Sequence, residues 1–265
     1  MMPATYADKL RLLDARLAEL GRVAIAFSGG VDSSVLLHAA RRILGAGAVG
    51  VLADSASLPR RELQIAQDVA QAIDAPLVIV ATDEQQDADY RANAGQRCYF
   101  CKAALFRAME KVCADRDIAW MAFGEVTDDW ADDRPGARAA SDFGVVAPLS
   151  AAGFGKSDVR RYAREAGLAV ADKPASACLA SRIPVGTVVT PERLAAVETA
   201  EAALLDMGLM QVRVRHHGHR ARVEVGSGEV ERAVELDGEI SQALTQAGFA
   251  EYQLHTYRAP GSSAS

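Results

Sequence analysis

The sequence lacks the apolar stretch that a membrane span needs. No run of about 18 apolar residues occurs in it, and no apolar segment typical of a secretory signal peptide is present. An excess of basic residues is also missing, since 29 Lys and Arg stand against 35 Asp and Glu, for a net charge of −6. Domains with a broad nucleic-acid surface are usually basic. These absences predict a cytoplasmic protein that binds neither a membrane nor a nucleic acid.

Cysteine is scarce as well. Four cysteines in 265 residues do not suggest a disulfide framework, and in a chain of this kind they are typical of metal ligands, catalytic thiols or core residues. The apolar content of 50% is ample for a core. A chain of this length holds one large domain, or one domain with a smaller partner.

Two common phosphate-binding motifs are absent from the stretch 28–34. It lacks the lysine of G-x-x-x-x-G-K-[ST] and the spacing of G-x-G-x-x-G. It nevertheless joins an apolar run, Val23–Phe27, to a helical run. Such a turn directs unpaired backbone N–H groups and the positive end of a helix dipole at one point, which is an anion site.

The residue types in this turn suit a nucleotide. Glycines allow a phosphate to approach the backbone, hydroxyls donate hydrogen bonds, and a carboxylate in the first helical turn can hold Mg²⁺. The alternative is an ordinary strand-to-helix turn with a serine cap. The residues concerned are Ser28, Gly29, Gly30, Asp32, Ser33 and Ser34.

Short β-rich runs alternate with helical runs from Val23 to Phe123. This alternation predicts an α/β fold with a parallel sheet covered on both faces, whose ligands lie beyond the carboxyl ends of the strands. The residues that follow the strands are Ser28, Asp54, Ser55, Thr82, Asp83, Gly124 and Glu125. The predicted organisation is a nucleotide domain over 1–172, a cysteine-bearing interdomain loop over 173–188 and a small αββαβ domain over 189–265.

The segment from Thr127 to Asp142 is rich in charge. Two interpretations stay open: a solvated acidic loop, or a lid whose carboxylates hold Mg²⁺ and whose arginine meets phosphate. The charged residues in question are Asp128, Asp129, Asp132, Asp133, Arg134 and Arg138.

The predicted hairpin of the small domain carries four arginines on one face. Arg213 and Arg215 alternate with apolar residues on the first strand, and Arg220 and Arg222 do so on the second. Such alternation is normal for a half-exposed sheet. Guanidinium groups at this spacing would also make a clamp for a phosphate or carboxylate.

The cysteines divide into three kinds. Cys98 and Cys101 form a C-x-x-C pair on one helix face, which suits half of a zinc site, a redox dithiol or a pair of cluster ligands. Cys113 lies among apolar helix positions and is predicted to be a core residue. With Cys178, the pair could bind three irons of a [4Fe–4S] cluster and leave the fourth iron open to an extra sulfide.

Several motifs together resemble known proteins. S-G-G-V-D-S at 28–33 resembles the signature of the PP-loop ATP pyrophosphatases, which cut ATP between its α and β phosphates. D-D-R-P-G at 132–136, A-C-L-A-S-R-I-P-V-G-T at 177–187 and V-R-V-R-H at 212–216 follow in the order found in the LarE family. That family comprises ATP-dependent sulfur transferases that make the pincer ligand of the nickel cofactor of lactate racemase. Its members adenylate the carboxylates of pyridinium-3,5-biscarboxylic acid mononucleotide and convert them to thiocarboxylates.

The resemblance implies roles for particular residues. Cys178 matches the sulfur-donor cysteine, which in single-cysteine members loses its own sulfur and becomes dehydroalanine. Members with an added C-x-x-C use a [4Fe–4S] cluster instead, and Cys98 and Cys101 are typical of that group. The phosphate-binding positions would be Arg213 and Arg215, with Ser181 and Arg182 in the adjoining loop.

The resemblance further implies ATP, Mg²⁺ and the cluster as cofactors, and a small molecule as the substrate. It also implies a homo-oligomer, because members of the family form hexamers. Glu201 falls near a family carboxylate, and its alternative is a solvent-facing helix glutamate. The source of the replenishing sulfide stays open.

Three rival functions stay open at this point. A PP-loop tRNA thiolase shares S-G-G-x-D-S and three cysteines, although the acidic balance counts against it. An ammonia-using PP-loop synthetase would have no need of three cysteines. A nucleotide-binding regulatory module without turnover would be unaffected chemically by loss of Cys178.

Overall fold

The structure, a computed structural model, describes residues 4–131, 135–174 and 176–258. The chain divides into two compact units. The first unit comprises Met1–Tyr90 and Gln96–Ser176, and the second comprises Arg91–Gly95 and Ala177–Ser265. Within the described residues no helix is long and apolar enough to cross a membrane.

The first unit is built on a four-stranded parallel sheet. Its strands are β1 (Val23–Ala26), β2 (Ala48–Asp54), β3 (Leu77–Ala81) and β4 (Trp120–Phe123), in the order β3-β2-β1-β4. The predicted parallel sheet of an α/β fold is therefore confirmed. The chain runs outward from β1 to β3 and then returns to place β4 on the other side of β1, which makes the edge between β1 and β4 the topological switch point.

Helices cover both faces of this sheet. They are α1 (Tyr6–Leu20), α2 (Val31–Leu44), α3 (Arg60–Ala72), α4 (Ala88–Ala92), α5 (Arg97–Arg116), α6 (Pro135–Asp142), α7 (Pro148–Ala151) and α8 (Lys156–Glu165). Every residue of β1 is buried, because Val23 and Ile25 join the core formed with α1, α2 and α8, while Ala24 and Ala26 join the core formed with α5. This two-sided burial explains the continuous apolar run in the sequence.

Helix α6 lies in the segment for which two interpretations were open, an acidic loop or a lid. Pro135 opens the helix, and Ala139 and Ala140 are buried in the same core as Phe106 of α5. The small apolar residues therefore determine the local structure, whereas both sequence-based interpretations rested on the charged residues. The predicted lid residues Asp132, Asp133 and Arg134 lie outside the described residues.

The second unit is an α+β arrangement. It contains the 3-10 helix Leu179–Arg182, α9 (Pro191–Asp206), β5 (Val212–His217), β6 (Arg220–Val225), α10 (Val230–Glu235), α11 (Asp237–Gln246) and β7 (Glu251–Thr256). Strands β5 and β6 are antiparallel and β7 pairs parallel with β6. Thr190 caps α9, since its side chain accepts a hydrogen bond from Arg193 N, and Pro191 occupies the first helical position.

The short segment Arg91–Gly95 belongs to this second unit. The Asn93 side chain, 1% exposed, donates to the carbonyl oxygens of Pro184 at 2.8 Å and Thr187 at 3.2 Å. Its own carbonyl accepts from Gly186 N at 3.0 Å. Asn93 has a positive φ of 52°, a conformation that asparagine tolerates better than most residues.

Candidate functional site

The turn between β1 and α2 has the geometry of an anion site. Gly30 is the N-cap of α2, in an extended conformation, and no side chain caps the helix. The serine cap of the alternative interpretation is therefore absent. The N–H groups of the first helical turn remain available to a ligand at the positive end of the helix dipole.

Two serines are linked across this turn. The hydroxyls of Ser28 and Ser33 lie 3.1 Å apart, and Ser28 N donates to Ser33 Oγ at 3.2 Å. Ser33 Oγ donates to the Gly30 carbonyl at 3.1 Å, which holds the turn in a single arrangement. Ser34 is fully buried, and its Oγ has no hydrogen-bond partner among the described residues.

Glycine is needed at two positions around the turn. Gly29 has a positive φ of 67°, and a Cβ there would lie 2.7 Å from Ala66 Cβ of α3. A Cβ on Gly124, which follows β4, would lie 2.8 Å from Ser33 N. The close packing at Gly124 brings the end of β4 against the start of α2, at the switch point of the sheet.

A cavity of about 400 Å³ opens over this turn. Its size falls within the range of small-molecule sites, about 300–1,000 Å³. The cavity is lined by Ser28, Gly30, Asp32, Ser33, Cys98, Lys102, Leu105, Phe123, Gly124, Glu125, Asp129, Pro135, Gly136 and Ala137, together with Ala26 and Phe27. Of the predicted nucleotide residues, Gly29 and Ser34 do not line it. Thr82 and Asp83 line a different cavity.

Carboxylates and one lysine meet at the cavity wall. Lys156 Nζ lies 2.8 Å from Asp32 Oδ2 and 3.5 Å from Asp129 Oδ1. Asp128 has a different role, because its Oδ2 accepts from the backbone N–H of Lys156 at 2.8 Å, at the start of α8. Of the four acidic residues considered for the lid, two lie in the described residues: Asp129 lines the cavity and Asp128 stabilises a helix end.

One oxygen of Asp32 fits a Mg²⁺ ion. Its Oδ1 is buried and has no hydrogen-bond partner among the described residues. Such an oxygen is costly to leave unpaired and suits a hard cation. Magnesium in nucleotide sites is bound by one or two carboxylates and by the phosphates themselves, so a complete protein cage is not required.

Lys102 was not identified from the sequence. It lines the cavity, is partly buried, and has no carboxylate partner among the described residues. Burial lowers the pKa of its ammonium group, and its Nζ lies 5.9 Å from the centroid of the Phe106 ring. An ammonium group that has no carboxylate partner in the described part of the chain and lies on the wall of such a cavity favours an anionic ligand.

The cysteines are distributed between the two units. Cys98 and Cys101 lie near the start of α5, and of these two only Cys98 lines the cavity. Cys178 lies in the second unit, immediately before the 3-10 helix. Cys113 is half-buried at the edge of the α5 core, where burial raises the pKa of its thiol. Over 4–131, 135–174 and 176–258, no three His, Cys, Asp or Glu residues are grouped as a metal site.

An ion pair is buried in the second unit close to Cys178 in the chain. Arg182, 3% exposed, donates from Nε and Nη2 to the two carboxylate oxygens of Glu201 at 2.8 and 3.0 Å. Glu201 is 7% exposed, so the alternative of a solvent-facing glutamate is wrong. Breaking such a pair from one side costs about 3–5 kcal/mol of stability.

The arginines of the β5–β6 hairpin differ in their partners. Arg215 and Arg222 both pair with Glu224, at 2.8 and 3.2 Å, and Arg220 pairs with Glu251. Arg213 has no carboxylate partner among the described residues. Its guanidinium donates to the Val212 carbonyl and faces the Tyr257 ring at 5.7 Å.

Electrostatics also distinguishes Arg213. Burial, followed by the nearby positive charge of Arg182, lowers the pKa of Arg213. By contrast, the hydrogen bond that Arg215 donates to Glu224 raises the pKa of Arg215. A partly desolvated cation beside a second cation is stabilised by an incoming anion, so Arg213 is the hairpin residue best suited to bind phosphate.

The first unit thus combines a parallel α/β sheet, an S-G-G-x-D-S turn and a cavity at the switch point, the features that define the PP-loop ATP pyrophosphatase class. Comparison with known proteins identifies the family. The chain is 33% identical over 247 residues to a pyridinium-3,5-bisthiocarboxylic acid mononucleotide synthase from Lactiplantibacillus plantarum, covering 93% of this chain and 90% of the relative. The chain belongs to the LarE family of ATP-dependent sulfur transferases.

Two other relatives have no assigned function. An uncharacterized protein from Synechocystis sp. is 38% identical over 244 residues, with 91% of each chain covered. An uncharacterized protein from Methanocaldococcus jannaschii is 25% identical over 231 residues, with 86% of each covered. No protein-family model matches the chain.

Proposed function

We propose that this chain adenylates the carboxylates of pyridinium-3,5-biscarboxylic acid mononucleotide and converts them to thiocarboxylates, in the synthesis of a nickel-pincer cofactor. The observation that carries the proposal is the 33% identity, along nearly the whole chain, to a synthase named for the bisthiocarboxylic acid product. The S-G-G-x-D-S turn and its cavity add support, because an adenylating enzyme must bind ATP.

In this proposal the first unit activates the substrate. The N-terminus of α2, with Ser28, Gly30 and Ser33, binds the phosphates, and Asp32 holds Mg²⁺ on them. A substrate carboxylate oxygen attacks the α-phosphorus of ATP and expels pyrophosphate, which leaves an acyl adenylate. Positive groups near the phosphates stabilise the charge that develops in this step.

Sulfur then replaces AMP at the activated carbonyl. We assign this step to Cys178 and the substrate phosphate to Arg213 and Arg215. When present, a [4Fe–4S] cluster supplies a sulfide as the donor sulfur, and its thiolate ligands would be Cys98, Cys101 and Cys178. The proposal includes a homo-oligomer in the cytoplasm.

The function is tested by coupled product analysis. Protein purified without oxygen is incubated with ATP, Mg²⁺ and the biscarboxylic acid mononucleotide, and AMP, pyrophosphate and thiocarboxylate are quantified. We expect AMP and pyrophosphate in equal amounts, and thiocarboxylate only when ATP is present. Product from tRNA but not from the mononucleotide would favour a tRNA thiolase, and binding of ATP without AMP formation would favour a regulatory module.

The iron content separates the possible sulfur donors. We expect about four irons and four labile sulfides per chain, with a broad absorbance band near 400 nm, and their loss in a Cys98→Ala/Cys101→Ala variant. The matched control is Cys113→Ala, which removes a cysteine of the same helix and should keep the iron. Zinc or free thiols in place of iron would contradict the cluster. Turnover would then consume Cys178 itself: its thiolate displaces AMP at the carbonyl, and elimination breaks its Cβ–S bond, which leaves thiocarboxylate on the substrate and dehydroalanine on the protein, a loss of about 34 Da.

Removal of Arg213 should weaken substrate binding. In Arg213→Met we expect the KM for the mononucleotide to rise by roughly 10- to 100-fold with little change in kcat, because a charged hydrogen bond to phosphate is worth about 1.5–3 kcal/mol. Arg232→Met, in an exposed pair with Glu235, is the control. A larger rise of KM in Arg215→Met than in Arg213→Met would contradict the choice of Arg213 as the principal phosphate ligand.

A further inference from the structure

The main chain at Cys178 is fixed by an unusual number of contacts. Its carbonyl oxygen accepts from Ser181 N at 3.0 Å, from Ser181 Oγ at 2.7 Å and from Arg182 Nη1 at 3.0 Å. Arg182 Nη1 also donates to the Ala177 carbonyl at 2.7 Å. Both peptide carbonyls at this point of the chain are therefore held by one guanidinium group.

That guanidinium is itself held from the other side. The carboxylate of Glu201 on α9 accepts hydrogen bonds from Nε and Nη2 of Arg182. Glu201 Oε1 also accepts one from Val214 N of β5 at 2.8 Å. A continuous set of hydrogen bonds thus connects strand β5 and helix α9 to the backbone of Cys178. Every member of this connection lies in the second unit.

None of these hydrogen bonds involves the side chain of Cys178. All three guanidinium nitrogens of Arg182 are directed at protein acceptors and the residue is buried, whereas the Cys178 side chain remains partly exposed. A buried ion pair of this kind gives little net stability compared with apolar residues of similar size. Its specific effect is geometric, because a guanidinium fork fixes acceptors in defined directions.

We infer that Arg182 and Glu201 are positioning residues, which hold the backbone of Cys178 so that its sulfur has one orientation during sulfur transfer. This inference rests on the proposed role of Cys178 as the sulfur-transferring residue. It differs from the sequence-based expectation that Arg182 contacts a phosphate, and the two roles predict different kinetics. A support for Cys178 acts on sulfur transfer, whereas a phosphate ligand acts on substrate binding.

The test uses three variants of the full chain. Arg182→Lys keeps the charge but not the planar fork, and Glu201→Gln keeps the shape and one acceptor. Arg182→Met/Glu201→Leu replaces both members of the pair with apolar side chains. This double variant leaves no buried charge without a partner, so it should fold even if a single variant does not. Arg232→Lys makes the same exchange in an exposed pair on α10 and is the control. Pyrophosphate release and thiocarboxylate formation are measured separately. Hydrogen exchange at the Ser181 amide is followed without any substrate.

We expect Arg182→Lys and the double variant to release pyrophosphate with a KM for the mononucleotide within about twofold of the parent, while thiocarboxylate formation falls roughly 100-fold, since a displacement near 1 Å can have that effect. Thiocarboxylate formation should fall less in Glu201→Gln than in Arg182→Lys. Exchange at the Ser181 amide should rise about tenfold or more in Arg182→Lys and stay unchanged in Arg232→Lys.

Two results would overturn the inference. A large rise in KM with unchanged thiocarboxylate formation at saturation would make Arg182 a phosphate ligand. Unchanged exchange at Ser181 would show that Arg182 does not hold this backbone, whatever the activity. If the parent protein releases no pyrophosphate, the proposed function fails, and the exchange measurement still decides whether the pair supports Cys178.

Discussion

In a Cys178→Ala variant, we expect pyrophosphate release to continue and thiocarboxylate formation to stop. The first unit contains the turn and cavity proposed to bind ATP, and Cys178 is in the second, so its loss should leave adenylation intact. Without the sulfur the acyl adenylate is released or hydrolysed, and AMP accumulates without thiocarboxylate. Loss of a nucleophile on which the reaction depends typically lowers turnover by about 10³-fold or more.

The measurement is a time course of AMP, pyrophosphate and thiocarboxylate in one reaction. Cys113→Ala is the matched control, because Cys113 is a cysteine of the α5 core that has no proposed role in the chemistry. Thiocarboxylate formed by Cys178→Ala at the parental rate would remove Cys178 from the mechanism. Loss of pyrophosphate release in the same variant would show that the two steps do not separate as proposed.

Replacing Asp32 with asparagine should slow adenylation strongly. Asparagine retains the shape of the side chain but removes the negative charge that the orphaned Oδ1 would offer to Mg²⁺. Loss of one preorganised electrostatic contact to the transferring group commonly lowers kcat by about 10²–10³-fold. We expect that decrease in pyrophosphate release, together with a higher Mg²⁺ requirement.

Asp32 also pairs with Lys156, and this second role needs its own control. If Asp32 served only to neutralise Lys156, the Asp32→Asn/Lys156→Met variant would recover parental activity. We expect no recovery. Asp14→Asn is the matched control, because Asp14 is likewise paired with a cation, Arg42, but does not line the cavity. Recovery in the double variant would reduce Asp32 to a charge partner.

The features predicted well from the sequence are those set by local patterns. Alternating apolar runs predicted the parallel sheet, and the Ser/Gly turn predicted a helix that begins after β1 with unpaired N–H groups, because strand burial and helix termini follow from neighbouring residues. The motif also placed Ser28, Gly30, Asp32 and Ser33 together, and the structure has all four on one cavity wall.

The features that were missed depend on residues far apart in the chain. Lys156 reaches Asp32 across 124 positions, and nothing in the residues around Lys156 predicts that contact. Arg182 was assigned to a phosphate because its motif suggested one, whereas its burial with Glu201 depends on how α9 packs in the fold. Lys102 could have been noticed, since it directly follows the C-x-x-C pair on the same helical turn.

The way in which Asn93 joins the second unit has a consequence for biosynthesis. The carbonyls that its side chain holds, on Pro184 and Thr187, are synthesised about 90 residues after it. As the chain emerges from the ribosome, the segment Arg91–Gly95 must therefore wait without its final partners while the rest of the first unit is made. A fragment beginning after this segment would lack a buried hydrogen-bonding residue of its own domain. Truncation at the apparent boundary should consequently yield a poorly folding C-terminal piece, and a circular permutant that keeps Asn93 with it would be the better route to an isolated domain.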